Sequence, residues 1–177
     1  GADGAAHRGP PAPVGGHSRG PLFGRAAAAA HPEVIASAVL IGVAASMPVH
    51  PAHQGAADDD DRLAGKLIAG WGHSPDQHLG VNPTPGLWMM GGTRAVLDRS
   101  PAGALGLALT ACADYDGAVE AAAAVACPVT LILAGQDRMT PRPGAQSLID
   151  TLSDPTVVEL PETGHMAMIE EPDVVRQ

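Results

Sequence analysis

Aromatic side chains make up only 2% of this 177-residue sequence. Hydrophobic residues still reach 45%, so a core has to be built mainly from Ala, Val, Leu and Ile. Each of these side chains buries less apolar area than an aromatic ring does, and we therefore expect modest stability. The length is sufficient for one domain with a substantial core.

Cysteine and positive charge are also scarce. Cys112 and Cys127 show neither metal-ligand spacing nor a disulfide framework, so we expect reduced thiols, a cytoplasmic location and no metal or other cofactor. The formal net charge is −9 and no Lys/Arg cluster is present, which argues against nucleic acid and membranes as partners. No apolar run reaches membrane-spanning length, and the start of the chain lacks a signal-peptide pattern.

The first residues of the chain are mostly Gly, Ala, Pro and His. Such residues bury too little area to offset the entropy lost on ordering, so we expect residues 1–12 to be disordered. The chain begins with Gly rather than Met, as expected of a fragment or a processed product.

Short apolar runs separated by helical patterns predict an α/β fold with three to four parallel strands. The first predicted strand ends at Val14. The other three cover residues 38–41, 129–133 and 156–160. One predicted helix covers residues 22–31, and another runs from about His165 to the end of the chain. Two more are indicated by apolar residues at helical spacing, which are Leu63, Leu67, Ile68 and Trp71 in one helix and Ala145, Leu148, Ile149 and Leu152 in the other.

The strand–helix alternation is interrupted in the middle of the chain. Residues 44–126 are rich in helical patterns and loops, and they divide a core of residues 13–43 from a second part of the core, residues 127–177. Residues 44–61 are predicted to be a loop. Its acidic run fits a solvated surface better than a metal site, and Asp60 or Asp61 is a candidate cap for the next helix.

A G-x-S-x-G motif, Gly16-His17-Ser18-Arg19-Gly20, follows the first predicted strand. This pattern is typical of a nucleophile elbow, a sharp strand-to-helix turn that exposes the serine hydroxyl. Small residues are expected at both glycine positions because larger side chains would collide in so tight a turn. The similar segment Gly72-His73-Ser74 has Asp76 in place of the second glycine and no preceding strand, so it is predicted to be a loop.

An acid and a histidine follow the next predicted strands in the order that this motif requires. Asp137 follows the strand of residues 129–133, and His165 follows the strand of residues 156–160. A serine hydroxyl needs an imidazole as base, and the imidazole needs a carboxylate to orient it. The sequence therefore predicts a Ser18–His165–Asp137 triad, with Asp114 as the weaker alternative for the acid.

From residue 14 to the end, the sequence resembles the C-terminal half to two-thirds of an α/β-hydrolase-fold enzyme. The resemblance implies that Ser18 is the nucleophile, His165 the base and Asp137 the orienting acid. It also implies that the Arg19 backbone N–H is one oxyanion donor and that residues 44–126 form a helical cap over the site. The substrate would be a small molecule with an acyl group, cleaved through an acyl-serine intermediate.

The resemblance leaves the exact reaction open. Ester, thioester, carbon–carbon bond and peracid chemistry all use this triad, whereas epoxide and haloalkane hydrolysis in this fold use an aspartate at the elbow. Candidate substrate contacts are His17, Trp88 and Met166. For Trp71, Trp88, Met89 and Met90, packing within the cap is the favoured interpretation and lining of a substrate pocket the alternative.

The sequence also departs from the family pattern. About four strands and the loop that carries the second oxyanion donor precede the elbow in the family, and these are not in the sequence. Losing one such donor costs on the order of 10²–10³ in rate. The elbow strand becomes an edge, where self-association is expected. An inactive remnant or a partner-dependent half of such an enzyme is therefore the alternative hypothesis.

Overall fold

A computed structural model describes residues 9–59, 62–79, 84 and 86–177. Four strands form one sheet in the order β1-β2-β3-β4, and all neighbouring strands are parallel. The strands are β1 Ala12–His17, β2 Ile35–Ile41, β3 Val129–Ala134 and β4 Thr156–Leu160. The predicted α/β class and the parallel sheet are thereby confirmed.

Helices connect the strands. In the part of the chain that the structure describes, the segment between β2 and β3 contains helices and no strand. None of the described helices combines the length and the apolar character needed to cross a membrane. The α-helices are α1 Gly20–Ala30, α2 Pro51–Asp58, α3 Arg62–Gly72, α4 Met89–Leu97, α5 Ala104–Ala113, α6 Ala118–Ala124, α7 Gln146–Thr151, α8 Ala167–Glu170 and α9 Pro172–Val175. Two 3₁₀ turns cover Pro75–Leu79 and Arg142–Ala145.

The parallel register aligns the carboxyl ends of the four strands. His17 of β1 lies beside Ile41 of β2, and Ile41 lies beside Ile132 of β3. Ala134 of β3 lies beside Leu160 of β4. The loops that follow β1, β3 and β4 therefore leave the sheet at one edge, where open parallel sheets bind ligands.

The main hydrophobic core lies between the sheet and helices α1, α6 and α7. Leu40 and Leu131 on the sheet and Leu148 on α7 are almost fully buried in it. The rest of the core is dominated by alanine, including Ala28, Ala118 and Ala122. Close approach of these small side chains replaces the aromatic packing that the composition excludes.

Strand β1 is longer than the sequence indicates, and its proline is tolerated because the strand lies at the edge of the described sheet. Among the described strands it pairs only with β2. Pro13 has no N–H to donate, and an edge strand tolerates this because only one side is hydrogen-bonded. The pairing shifts register between Ala12 and Pro13.

Helix α2 corrects the predicted loop of residues 44–61. Pro51 occupies the first turn of the helix, where its missing N–H and fixed φ are favourable. The His50 side chain caps the same end, because its Nδ1 accepts a hydrogen bond from the Ala52 N–H at 3.2 Å. The expected caps Asp60 and Asp61 lie outside the described residues, as do residues 1–8 of the predicted disordered segment.

Helix α3 buries a face that only partly overlaps the predicted one, which it shares through Ile68. Leu63 is 45% exposed, and the buried residues of the helix are Ala64, Gly65, Ile68, Ala69 and Gly72. Helix α3 packs against α2 and α4, and small residues make up most of the face that is buried.

The predicted C-terminal helix is divided into α8 and α9. Glu171, between the two helices, has φ −129° and ψ 58°, which is not helical geometry. The break follows from Pro172, because proline disfavours helical backbone in the residue before it.

The buried leucine of α7 provides a test of the core. Replacing Leu148 by Ala leaves a cavity in a site that is fully buried, and we expect the free energy of unfolding to fall by about 2–5 kcal/mol. The control Leu107→Ala changes a side chain that is 75% exposed, and its effect should stay within about 0.5 kcal/mol. Urea denaturation followed by circular dichroism measures both. Equal effects of the two substitutions would contradict this core.

Candidate active site

Ser18 occupies a strained turn directly after β1. Its φ is 58°, in the left-handed region that non-glycine residues rarely adopt. Its N–H donates to the Ile41 carbonyl at 2.9 Å, which holds the turn against β2. Helix α1 begins two residues later at Gly20. This strand–turn–helix geometry is that of a nucleophile elbow.

The two glycines of the motif have different roles. A Cβ on Gly16 would lie 2.5 Å from the carbonyl carbon of Gly20, so no side chain fits at residue 16. A Cβ on Gly20 would have open space around it. The prediction that both positions must be small holds sterically for Gly16 alone, because only its Cβ would point into the crossing backbone.

Asp137 and His165 meet at the carboxyl ends of β3 and β4. The Asp137 Oδ2 lies 2.7 Å from the His165 Nδ1, and both side chains are almost fully buried. Asp137 Oδ1 accepts hydrogen bonds from the backbone N–H groups of Met139 and Thr140, each at 2.8 Å. Oδ2 also accepts from the Thr140 hydroxyl at 2.7 Å. These four donors fix the carboxylate in one orientation.

The same contacts determine the charge of the pair. Burial by itself raises the pKa of Asp137, but the hydrogen bond and charge of His165, together with the Thr140 hydrogen bonds, lower it below its ordinary value. Asp137 is therefore a carboxylate at neutral pH, and it accepts a hydrogen bond from the Nδ1–H group of His165. The neutral His165 imidazole then has its lone pair on Nε2.

Ser18 and His165 line the same cavity, whose volume is about 380 Å³. Nε2 of His165 is buried and has no hydrogen-bond partner within the described residues. A hydrogen bond from the Ser18 hydroxyl to this nitrogen is thus absent here, and such bonds are often long in ligand-free sites. The arrangement brings the three predicted residues together at one edge of the sheet.

Two further residues hold the His165 side chain and backbone. His17 places its Nε2 2.9 Å from the His165 carbonyl oxygen, and the two rings are 4.6 Å apart. Gly42 has φ 60°, and a Cβ on it would lie 3.0 Å from Cε1 of His165. Only glycine combines this backbone conformation with such a close approach to the ring.

His17 is neutral over most of the pH range. Burial lowers its pKa, and the repulsion that His17 would feel from a protonated His165 lowers it further. The hydrogen bond to the His165 backbone and the charge of Asp137 act in the opposite direction, and the resulting pKa is about 4. His17 therefore donates to the backbone as a neutral ring.

Ser18 also lines a second cavity, of about 390 Å³. His53 and Trp71 line this cavity, and their rings make an edge contact at 4.6 Å. Met166 lines the first cavity, and its contact with a substrate stays a prediction. Trp88 is 62% exposed and lines neither cavity, because its ring packs over Gly91 on its own helix.

Arg19 and Asp114 lie at helix ends. Arg19 is the N-cap residue of α1, and backbone N–H groups at a helix N-terminus have no intrahelical partner. Its N–H is therefore suited to donate a hydrogen bond to an oxygen that develops negative charge. Asp114 follows α5 as an exposed C-cap, and Asp137 rather than Asp114 contacts His165. Within the described residues, no group of three His, Cys, Asp or Glu is arranged to hold a metal ion.

Sequence reasoning missed a second buried pair beside the site. His73 Nδ1 lies 3.2 Å from Glu170 Oε1, and both side chains are fully buried. Burial raises the pKa of Glu170, but the His73 imidazole and the N–H groups of Gly164 and Ser74 outweigh it and lower the pKa. His73 and Glu170 are 97 positions apart in the sequence, so no local pattern connects them, and only their placement next to Gly164 indicates a role.

Comparisons with known proteins agree with this geometry. A model of the alpha/beta hydrolase family matches residues 2–177. An enol-lactonase from Burkholderia xenovorans LB400 superposes with a TM-score of 0.81 at 21% identity, over 93% of this chain and 62% of that one. No curated protein matches the sequence.

Two esterase structures are similar to the same extent. An esterase from Exiguobacterium antarcticum has a TM-score of 0.77 at 12% identity, over 93% of this chain and 66% of its own. A thermophilic esterase has a TM-score of 0.76 at 22% identity, over 94% and 63%. The chain thus spans somewhat less than two-thirds of the length of most of these structures, and identities this low establish the fold alone.

The elbow glycines give a matched pair of substitutions. Gly16→Ala places a methyl group 2.5 Å from backbone, so we expect it to destabilise the fold by roughly 1–3 kcal/mol through overpacking. Gly20→Ala meets nothing within 4 Å and should change stability by less than about 0.5 kcal/mol. Thermal or urea unfolding of both variants measures the difference. A Gly20→Ala effect as large as that of Gly16→Ala would contradict the described turn.

The lowered pKa of His17 predicts a specific acid sensitivity. The folded value is about 4 against 6.5 ordinarily, so the unfolded state binds more protons between these two pH values. The contribution of His17 to the free energy of unfolding is therefore fully present above pH 6.5. It decreases by about 3 kcal/mol as the pH falls toward 4. Urea unfolding across this range should show a shallower fall for His17→Gln.

The control for this measurement is His31→Gln, which removes an exposed histidine at the end of α1. Its pH profile should follow that of the parent chain. If His17→Gln and His31→Gln gave the same slope between pH 4 and 6.5, the buried, neutral state of His17 would be wrong.

Proposed function

Because the chain belongs to the alpha/beta hydrolase family, we propose that it is a serine hydrolase that cleaves small esters through an acyl-serine intermediate. The observation that carries the proposal is the buried 2.7 Å contact between Asp137 and His165 at a cavity that Ser18 also lines. A carboxylate that fixes the tautomer of an imidazole, with the other ring nitrogen unpartnered, is the arrangement that activates a serine.

In the first half of the proposed reaction, the Ser18 Oγ attacks the ester carbonyl and its proton passes to His165 Nε2. Asp137 stabilises the resulting imidazolium through Nδ1. The Arg19 N–H donates to the negatively charged oxygen of the tetrahedral intermediate. Collapse of this intermediate expels the alcohol, which takes the proton from Nε2, and leaves the acyl group on Ser18.

In the second half, water replaces the alcohol. His165 Nε2 removes a proton from water, and the hydroxide adds to the acyl carbonyl. The second tetrahedral intermediate releases the carboxylic acid and returns the proton from Nε2 to the Ser18 oxygen. The residues end in their starting states, as catalysis requires.

The two cavities that meet at Ser18 support a substrate with a group on each side of the scissile bond. Volumes of about 380 and 390 Å³ lie within the range of small-molecule sites. Met166 and His17 line one cavity, and His53 and Trp71 line the other. Cyclic esters belong to the proposed class, since one similar structure is an enol-lactonase.

Residues 44–126 are proposed to form the cap of this site. The 3.0 Å contact between His73 and Thr93 joins two of its segments, and residues of α3 and α5 line the cavities at Ser18. Both cysteines are free thiols, which is compatible with the proposed cytoplasmic location.

A second candidate function is that of an inactive or partner-dependent half of such an enzyme. The observation that favours it is the outer edge of β1, which pairs with no other described strand. An elbow supported on one side is held less firmly than the roughly 0.5 Å tolerance of a catalytic site requires. A copy of this chain, or a separate N-terminal half, could add strands at this edge.

Replacement of the nucleophile tests the first proposal. Ser18→Ala removes the attacking oxygen, so hydrolysis of p-nitrophenyl butyrate should fall to background, by about 10³-fold or more where the parent is active. The control Ser153→Ala changes an exposed serine after α7 and should keep the parent rate. Activity that survives Ser18→Ala would show that another group performs the hydrolysis.

The second candidate is tested by comparing this chain with a fusion to a family-like N-terminal half. We expect little or no turnover from the 177-residue chain, because the elbow supplies one oxyanion donor and each missing donor costs about 10²–10³ in rate. The fusion should be faster by orders of magnitude, and Ser18→Ala should abolish the gain. A normal enzymatic rate from the 177-residue chain alone, lost in Ser18→Ala, would exclude the inactive-half hypothesis.

A further inference from the structure

A second histidine–carboxylate pair, His73 and Glu170, lies next to the residues that flank His165. His73 Nδ1 is 3.2 Å from Glu170 Oε1, and His73 Nε2 is 3.0 Å from the Thr93 hydroxyl. Neither His73 nor Glu170 lines the two cavities at Ser18. A substrate in those cavities therefore has no contact with this pair, and its role has to be exerted through neighbouring residues.

Glu170 connects the turn that contains Gly164 and His165, the histidine turn, to the segment that follows α3. Its Oε2 accepts from the Gly164 N–H at 2.8 Å, and its Oε1 accepts from the Ser74 N–H at 3.2 Å. One carboxylate thus bridges the residue directly before His165 and the residue directly after His73. Removing an acceptor of this kind leaves buried N–H groups unpaired, which is unfavourable.

The residue directly after His165 is bound to the same segment. The Met166 N–H donates to the Gly72 carbonyl at 2.9 Å. Both peptide neighbours of His165 are therefore hydrogen-bonded, directly or through Glu170, to residues 72–74. This segment belongs to the proposed cap, whereas His165 belongs to the sheet edge.

Steric contact makes the connection rigid. A Cβ on Gly164 would lie 2.4 Å from the Ser74 nitrogen and 2.8 Å from Glu170 Oε1. A Cβ on Gly72 would lie 3.1 Å from the Met166 Cε. The two backbone segments are in direct contact, so a shift of residues 72–74 has to move the histidine turn.

We propose that His73 and Glu170 are positioning residues for His165, which couple the cap to the base of the triad. The inference rests on the proposed function, in which His165 is the general base. His73 lies 3.2 Å from the buried Glu170 carboxylate and stabilises its charge, and Glu170 fixes the Gly164–His165 peptide by accepting from the Gly164 N–H. Asp137 then meets the imidazole at its 2.7 Å distance. A catalytic group displaced by about 1 Å loses roughly 10² in rate.

The test uses Glu170→Gln in the whole chain labelled with ¹⁵N-histidine and ¹⁵N-glycine, so that the His165 ring and the Gly164 amide are both observed. The amide NH₂ of Gln opposes the N–H of Gly164 or of Ser74, so the turn loses one of its two anchors. By NMR we expect the His165 Nδ1 proton to exchange with water at least about tenfold faster, because its contact with Asp137 loosens. The matched control is Glu162→Gln, an exposed carboxylate in the same turn, which should leave the exchange rate unchanged.

The exchange of the Gly164 amide proton reports whether the anchor itself is lost. If that proton exchanges faster in Glu170→Gln while the His165 Nδ1 proton behaves as in Glu162→Gln, Glu170 is merely structural and the proposal is wrong. If Glu170→Gln does not fold, Thr93→Val decides, since it removes only the hydroxyl next to His73. Faster exchange of the Nδ1 proton in Thr93→Val supports the proposal, and an unchanged rate overturns it.

Kinetics give an independent readout wherever Ser18-dependent hydrolysis is measurable. Glu170→Gln should lower kcat by about tenfold or more and leave KM within about threefold, because the lost alignment concerns the base and not the cavities. Failure of the proposed function would be recognised separately, because hydrolysis would then be insensitive to Ser18→Ala. The NMR comparison would still test the positioning role of Glu170.

Discussion

The alignment of carboxyl strand ends by the parallel register is the constraint from which the site follows. His17 pairs with Ile41, and Ala134 pairs with Leu160, so the turn after β1 and the loops after β3 and β4 emerge together. No residue of the proposed triad is near another in the sequence. Their meeting depends on strand pairing, and the strand pairing depends on the alanine-rich contacts of α1, α6 and α7 with the sheet.

Asp137 and Glu170 are buried carboxylates, and each is surrounded by hydrogen-bond donors. Asp137 receives hydrogen bonds from Met139, Thr140 and His165. Glu170 receives them from Gly164 and Ser74 and lies beside His73. An unpaired carboxylate at either place would be strongly unfavourable. The two clusters meet at Gly164–His165, and the geometry of this turn is therefore determined from both sides.

The residues of the candidate site were predictable because each follows a local signal. Ser18 lies in a motif with glycine at both ends, and Asp137 and His165 each follow a short apolar strand. The sheet was predictable for the same reason. Their chemical roles remain predictions, since low-identity structural similarity establishes the fold alone.

The parts that local patterns missed depend on contacts distant in sequence. Helix α3 packs against α2 and α4, with Ala64 and Gly65 buried and Leu63 exposed. Helix α2 begins at Pro51, and proline suits a loop as well as a first helical turn. The His50 cap that identifies the helix start is visible only in the structure. The pairing of His73 with Glu170 cannot be predicted from either local sequence, because no motif or spacing connects the two residues.

The long excursion between β2 and β3 has a kinetic consequence. Pairing of β2 with β3 brings Ala38 beside Val129, and it closes a loop that contains α2 to α6. Closing a long loop loses chain entropy before the new contacts compensate for it. The β1–β2 pair can form early and carry Ser18 alone, whereas Asp137 and His165 arrive only with the late, non-local half of the sheet. Partly folded forms of this chain would thus present a serine without its base.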